Sequence, residues 1–450
     1  MTASLQDAVR KQMPRARRDL DGLVRMPTIS ADPGHAGDVL AACRRLAELA
    51  TEAGARDATI VEAGGAPALI ATWPATEGAP TVLLYAHLDV QPTGPEQEWT
   101  SPPFEPTERD GRLYGRGAAD DKAGVLMHLA VLRAFGGRPP VGVVLFLEGE
   151  EEIGSPTLTA LLAEHSDALR SDVIVIADSA NASVDVPAFT TSLRGLVDVF
   201  VEVRVLDRPV HSGIYGGAVP DALTALCRLL ATLHDDAGAV AIAGLDAASS
   251  TAPDLDEDIV RSDAGVLPGV RLIGSGSVPE RLWHQPAVAV LGMDVPPTAE
   301  ASNVLLPRAR AKVSLRLAPS QDEHAALKLL TDHLTAHAPW GSEVEVTAGS
   351  AGGGFALETT GDVYDLAREV FEQAYGSAPV ETGIGGSIPF IAEFARAYPG
   401  ATVLVTGVGD PSSRWHGIDE SLHLGMWQRA CVAEALLLQR LGERAGSVQR

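Results

Sequence analysis

The 450-residue chain is 46% hydrophobic and 21% charged, which exceeds the size of one ordinary core and matches a folded, soluble protein of two domains. A formal net charge of −24 excludes nucleic acid and anionic membrane as natural partners, since only the short Arg15, Arg17, Arg18 cluster offers positive charge. Three scattered cysteines, Cys43, Cys227 and Cys431, form no CxxC pair, and no signal-like or membrane-length apolar run is present, so the expected setting is the cytoplasm.

In chain order, Leu5, Val9, Met13, Leu20 and Leu23 among charged residues predict an amphipathic helix over 4–24. A second helix is expected over 36–53, ending at Gly54, followed by two strands at 58–62 and 68–73 joined through Gly64-Gly65. Three apolar runs of buried-strand type come next. The first, 81–85, leads into Ala86-His87-Leu88-Asp89; the second, 141–147, into Glu148-Gly149-Glu150-Glu151-Glu152; the third, 172–177, into Asp178. Helical patterns at 121–135 and 157–164 separate them. That alternation predicts an α/β domain with a mostly parallel sheet flanked by helices, its ligand-bearing residues at the carboxyl ends of the strands. A further run, 401–405, ends in a loop that carries His416.

The middle of the chain follows another pattern. Val197, Val199, Val201, Val203 and Val205 alternate with period two; a helix is expected near 221–233, a strand at 308–317, a helix at 323–337 and a short strand at 343–346. This predicts an α+β module at 191–350 inserted between two parts of the α/β domain, 1–190 and 351–450. The 238–253 stretch reads as a surface loop.

The chemistry-bearing residues collect around Gly115-Arg116-Gly117-Ala118-Ala119-Asp120-Asp121-Lys122. An Asp at a helix start is ordinarily an N-cap, yet Asp120 is read here as a carboxylate shared by two metal ions, because each strand end offers a further ligand. His87 and Asp89 lie two apart on one side of an extended segment, suiting either a metal-bound imidazole oriented by a carboxylate or two ligands. In Glu150-Glu151-Glu152, neighbouring carboxylates can divide labour between holding metal and acting as general base. Asp178 closes an apolar strand, where a nearby cation would offset the cost of burying it. His333 and His337 lack the Glu of an HExxH motif and read as helix-surface residues; His128 and His165 read as structural. No P-loop, dinucleotide fingerprint or nucleophile elbow occurs.

Tyr85-Ala86-His87-Leu88-Asp89-Val90, the Gly115–Lys122 turn, Glu148-Gly149-Glu150-Glu151-Glu152-Ile153-Gly154-Ser155 and the opening Leu23-Val24-Arg25-Met26-Pro27-Thr28-Ile29-Ser30 occur in one order. Together they resemble the dinuclear zinc hydrolase superfamily of carnosinase, aminoacylase, succinyl-diaminopimelate desuccinylase and glutamate carboxypeptidase, nearest its dipeptidase branch. The resemblance implies a zinc-exopeptidase-like catalytic domain with 191–350 as lid and dimerisation domain of a homodimer. It implies two Zn2+ per subunit, with Mn2+ or Co2+ as alternatives: His87 and Asp178 on one ion, Glu152 and His416 on the other, and Asp120 bridging. It further implies that Asp89 orients His87, that Glu151 is general base, and that the Asp120–Asp121 peptide is cis.

In the insert, Val210-His211-Ser212-Gly213 resembles a lid loop whose His211 stabilises the oxyanion in the partner's site. Asn303 and Arg316 would contact substrate, the arginine gripping a C-terminal carboxylate that Gly386 and Ser387 of Gly385-Gly386-Ser387-Ile388-Pro389 also meet. The implied reaction is hydrolysis of the amide bond of dipeptides or related short substrates. Two rivals stand beside it: a deacylase or desuccinylase of N-acyl amino acids, and a non-catalytic binding homologue, whose signature would be a lost ligand or base.

Overall fold

The computed structural model describes residues 2–250, 252, 254–385 and 389–448. The chain divides into two compact units, with boundaries at Thr190/Thr191, Leu357/Glu358 and Glu381/Thr382; the first unit resumes after the short segment that begins at Thr382.

The first unit is built on a six-stranded sheet in the order Asp57–Val61, Ala68–Trp73, Gly142–Glu148, Thr81–His87, Val173–Ile176, Thr402–Val405. The last four run parallel, and the first two are antiparallel to their neighbours. The central strands read as unbroken apolar runs because both faces are covered. On one face Val82, Leu84 and Ala86 join a core with the helices Thr2–Val24, Ala36–Glu52, Lys122–Ala134, Asp362–Tyr375 and Leu424–Val448. On the other, Tyr85 and Phe146 pack against Phe394 of the Pro389–Ala397 helix, with ring centroids 5.3–6.1 Å apart. Alternation along the strand thus sends neighbours to opposite faces. Register brings the strand ends together: His87 lies opposite Glu148, and Tyr85 opposite Ile176, so three adjacent strands end at one level.

The second unit has a four-stranded antiparallel sheet, ordered Ala287–Asp294, Arg308–Leu317, Gly195–Arg204, Glu343–Gly352. Val197, Val199, Val201 and Val203 form its core with Leu226 and Leu330 of the helices Ala222–Ala231 and Glu323–Ala336. Each helix starts at an aspartate, Asp221 or Asp322, whose side chain accepts a backbone N–H of the first turn.

Some elements lie beyond what the sequence pattern announces. The strand expected at 343–346 extends over Glu343–Gly352. The Ala287–Asp294 strand carries mostly exposed side chains and so lacks the alternation that marks a half-buried strand. The Leu424–Val448 helix packs among other helices and is apolar over much of its surface, which blurs its 3.6-residue period.

Candidate active site

Gly117 enters the Asp120 turn at φ 78°, where an added Cβ would meet Val90 Cγ1 at 2.6 Å, so only glycine fits. The Asp120–Asp121 peptide is cis. The Asp120 carboxylate then lies between two histidines: its Oδ1 is 3.1 Å from His87 Nε2, and its Oδ2 is 3.0 Å from His416 Nε2. His416 Nε2 is also 3.1 Å from Glu152 Oε2, while His87 Nε2 lies 3.9 Å from Asp178 Oδ2 and 4.0 Å from Glu151 Oε2. Two sets of side chains bring their ligand atoms within metal-binding reach of one another: His87, Glu151 and Asp178, and His87, Asp120 and Glu152.

Every one of these residues sits at or just beyond a strand end, or in a loop held by hydrogen bonds. His87 Nδ1 faces the Asp89 carbonyl at 3.1 Å and Asp89 Oδ1 at 3.4 Å. A carbonyl oxygen only accepts, so Nδ1 carries a proton and Nε2 is the atom offered to a cation. Asp89 does more than face the ring. Its Oδ1 accepts the Glu151 N–H at 3.2 Å and its Oδ2 the Glu152 N–H at 3.1 Å, fixing both glutamates against the same strand end. Asp121 Oδ2 accepts the His87 N–H at 3.3 Å.

Glu150, the first of the three glutamates, is used elsewhere. It accepts from Ala66 N and Thr157 N, each at 2.8 Å, and from the Thr157 hydroxyl. Gln91 is a site neighbour that the sequence does not single out. Its backbone N–H donates to Glu152 Oε1 at 3.1 Å and its side chain to Glu152 O at 2.9 Å; one glutamine two residues past Asp89 carries no motif to betray it.

Charge explains why such a cluster calls for cations. In the absence of metal, burial first, opposed by His87 and helped by Asp178, pushes the Glu151 carboxyl up to about 9. Burial likewise raises Asp178 to about 7. Asp120 goes the other way: burial opposes it, yet hydrogen bonds with His416 and His87 hold it below the usual carboxylate range. His416 is raised to about 10 by Asp120 and Glu152; His87, which burial alone would lower, is held well above its ordinary value by Asp120 and Asp89. Imidazoles that stay protonated between carboxylates occupy places where divalent cations bind better. The donor set is carboxylate and imidazole with no thiolate, which suits zinc, manganese or cobalt.

The remaining histidines of the sequence have other surroundings. His128 is buried, with Nδ1 2.8 Å from Glu434 Oε2 and Nε2 3.1 Å from Tyr85 O. His333 and His337 stack at 4.1 Å, and His333 is half-buried against Thr232.

In the second unit, His211 lies on the Val210–His211 strand paired with Val304–Leu305, and Ser212 N donates to Asn303 O at 3.0 Å. His211 and Asn303 are therefore close neighbours on an exposed surface. His211 Nδ1 accepts the Gly213 N–H at 3.0 Å, which leaves Nε2 to carry the ring proton. Arg316 lies on the Arg308–Leu317 strand opposite Leu196. Gly386 and Ser387 lie outside the described residues.

Comparison with known proteins bears on the fold and the family. The model of peptidase family M20/M25/M40 matches residues 83–440. A cysteinylglycine-S-conjugate dipeptidase of Corynebacterium striatum is 37% identical over 372 residues, covering 81% of this chain and 82% of that protein. Among solved structures, the di-peptidase Dug1p of Saccharomyces cerevisiae superposes with a TM-score of 0.79 at 22% identity, covering 98% of this chain and 99% of the other. Human carnosine dipeptidase 1 gives 0.78 at 24%, with the same coverage. The two structures share the fold: a mixed α/β unit on a mainly parallel sheet together with a second α+β unit. With the family model spanning most of its length, this chain belongs to peptidase family M20/M25/M40 and is a hydrolase.

Proposed function

We propose that the chain is a metallo-dipeptidase that cleaves the amide bond of dipeptides with a free C-terminal carboxylate. The observation that carries the reading is Asp120, each of whose oxygens faces a different histidine at 3.0–3.1 Å with further carboxylates alongside. In this reading the first unit is the catalytic domain, and the second, which begins at Thr191 and runs on to Leu357, is the lid and dimerisation domain. His87 and Asp178 would hold one ion, Glu152 and His416 a second, and Asp120 would bridge them. Two Zn2+ bound there would supply Lewis acidity and lower the pKa of a nearby water towards ~7.

The chain's own groups do the rest. Asp89 orients His87 and fixes the backbone of the two glutamates. Glu151, a carboxylate whose burial raises its proton affinity, takes a proton from the attacking water and returns it to the leaving amine. His211 of a partner subunit donates through Nε2 to the developing oxyanion, and Asn303 contacts the substrate beside it. Arg316, on the Arg308–Leu317 strand, takes the substrate's C-terminal carboxylate.

A homodimer fits this division. The Ala287–Asp294 strand is an edge of its sheet and exposes Val290, Leu291 and Met293, and Ile214 and Tyr215, just past His211, are exposed too. No helix among the described residues is long and apolar enough to cross a membrane, and three unpaired cysteines accord with a cytoplasmic enzyme.

The relative in Corynebacterium suggests S-substituted cysteinylglycine as a substrate class. The test is a panel of cysteinylglycine conjugates and Ala-, Gly- and β-Ala-dipeptides set against N-acetyl and N-succinyl amino acids. Turnover of the dipeptides is expected; turnover confined to the acyl substrates overturns the proposal.

A further inference from the structure

Asp120 and His416 must face the same ion, although nearly three hundred residues separate them. Pairing of the Arg112–Tyr114 and Ser421–His423 strands brings the two chain segments together but stops short of both residues. Glu420 closes the gap. Its Oε1 accepts the N–H groups of Ala119 at 2.9 Å and Asp120 at 3.1 Å, and its Oε2 accepts that of Gly117 at 3.1 Å. Arg116 Nη1 donates to the same Oε2 at 2.7 Å. Arg116 then reaches back across the His416 loop: its Nη2 donates to Gly417 O at 3.3 Å and Pro92 O at 3.1 Å. Each partner thus comes from one loop and fastens the backbone of the other. Both side chains are almost wholly buried, where a carboxylate with this many donors and a guanidinium with several acceptors are strongly directional.

The need for such a device is uneven across the site. His87 and Asp178 follow paired strands of the sheet, and Glu152 is held by Asp89 and Gln91. His416 sits in a loop at φ 58°, with a side chain 57% exposed. That loop closes on itself through Gly417 N–H to Arg414 O and Ser421 N–H to Ser413 O, each at 2.9 Å, and meets Thr100 at the surface through Asp419. Its buried side-chain tie to the Asp120 turn is the Arg116–Glu420 pair.

We propose that Glu420, through Arg116, is a positioning residue that sets the metal position shared by Glu152, His416 and Asp120, and that removing it weakens this position while leaving that of His87 and Asp178 intact. The inference rests on the two-ion reading given above.

The test is a titration of metal-stripped protein with Co2+, followed by its d–d absorption and by calorimetry. Wild type should take two ions. Glu420→Gln, which keeps the shape but places an amide N–H against backbone N–H groups, should bind the first ion as wild type does and the second at least about tenfold more weakly, with turnover recovering in excess Co2+. A purely structural role would instead lower the Tm of the metal-free protein and weaken both ions alike, which overturns the proposal, as does unchanged binding of both. Arg116→Lys keeps the buried charge but cannot span Glu420 and the Gly417 carbonyl. It should show the same selective loss, and if Glu420→Gln fails to fold, two wild-type ions in Arg116→Lys overturn the proposal. Fewer than two ions in the wild-type protein would count against the two-ion reading itself, separately from the clamp.

Discussion

The two units treat their polar residues in opposite ways. At the strand ends of the first, His87, Asp89, Asp120, Glu151, Glu152 and Asp178 are largely buried and each is tied to another member or to its backbone. In the second, His211 and Asn303 lie exposed, joined mainly through backbone pairing, and Arg316 has no counter-ion among the described residues. The first arrangement is preorganised for cations; the second is open, as suits a substrate or a partner. A buried cluster is fixed before anything binds, whereas exposed donors gain their worth only when a ligand removes water from around them.

Mutations should separate the two. Asp120→Ala removes the group common to both imidazoles, so metal content by atomic spectroscopy should fall from two per chain to near zero, with activity lost. Retention of one tightly held ion would show that the cluster is less interdependent than its geometry suggests. Glu151→Gln should cut kcat by roughly 10²–10⁴-fold with metal content unchanged, because it removes a proton acceptor without removing a ligand. Loss of metal instead would make Glu151 a ligand, as its place beside His87 and Asp178 also allows.

His211→Ala should lower kcat by about 10²–10³-fold and leave metal content alone. Mixed with Glu151→Gln protein it should regain activity, since one hybrid site then has both residues; no recovery would place His211 in its own subunit's chemistry.

The smallest effect concerns pH. Asp178, Glu151 and His416 have folded-state values raised to about 7, 9 and 10 in the metal-free cluster. A raised group contributes stability that is complete below its unfolded value and is lost as pH rises through the folded one. Asp120, held low, acts in the opposite sense only below about pH 4. The Tm of the metal-stripped protein should therefore fall by a few degrees between about pH 5 and 9, and the metal-loaded protein should hold its Tm over that range.

The same contrast governs what the sequence discloses. Buried strands such as Thr81–His87 announce themselves as apolar runs, and a carboxylate or histidine closing such a run stands out because burial there needs a reason. Asp89 is legible as a partner of His87, but its grip on the amides of Glu151 and Glu152 is not, since backbone donors carry no residue type. Glu420 escapes for a like reason: two of its three backbone partners belong to Ala119 and Gly117. The exposed Ala287–Asp294 edge escapes because solvent imposes no alternation on it.

Whether Asp120 is shared by two ions can be read from anomalous diffraction of Zn2+-loaded crystals. Two zinc peaks are expected, one beside each oxygen of Asp120, the first next to His87 and Asp178 and the second next to Glu152 and His416. A single peak, or two that do not share Asp120, would rule out a carboxylate common to both ions.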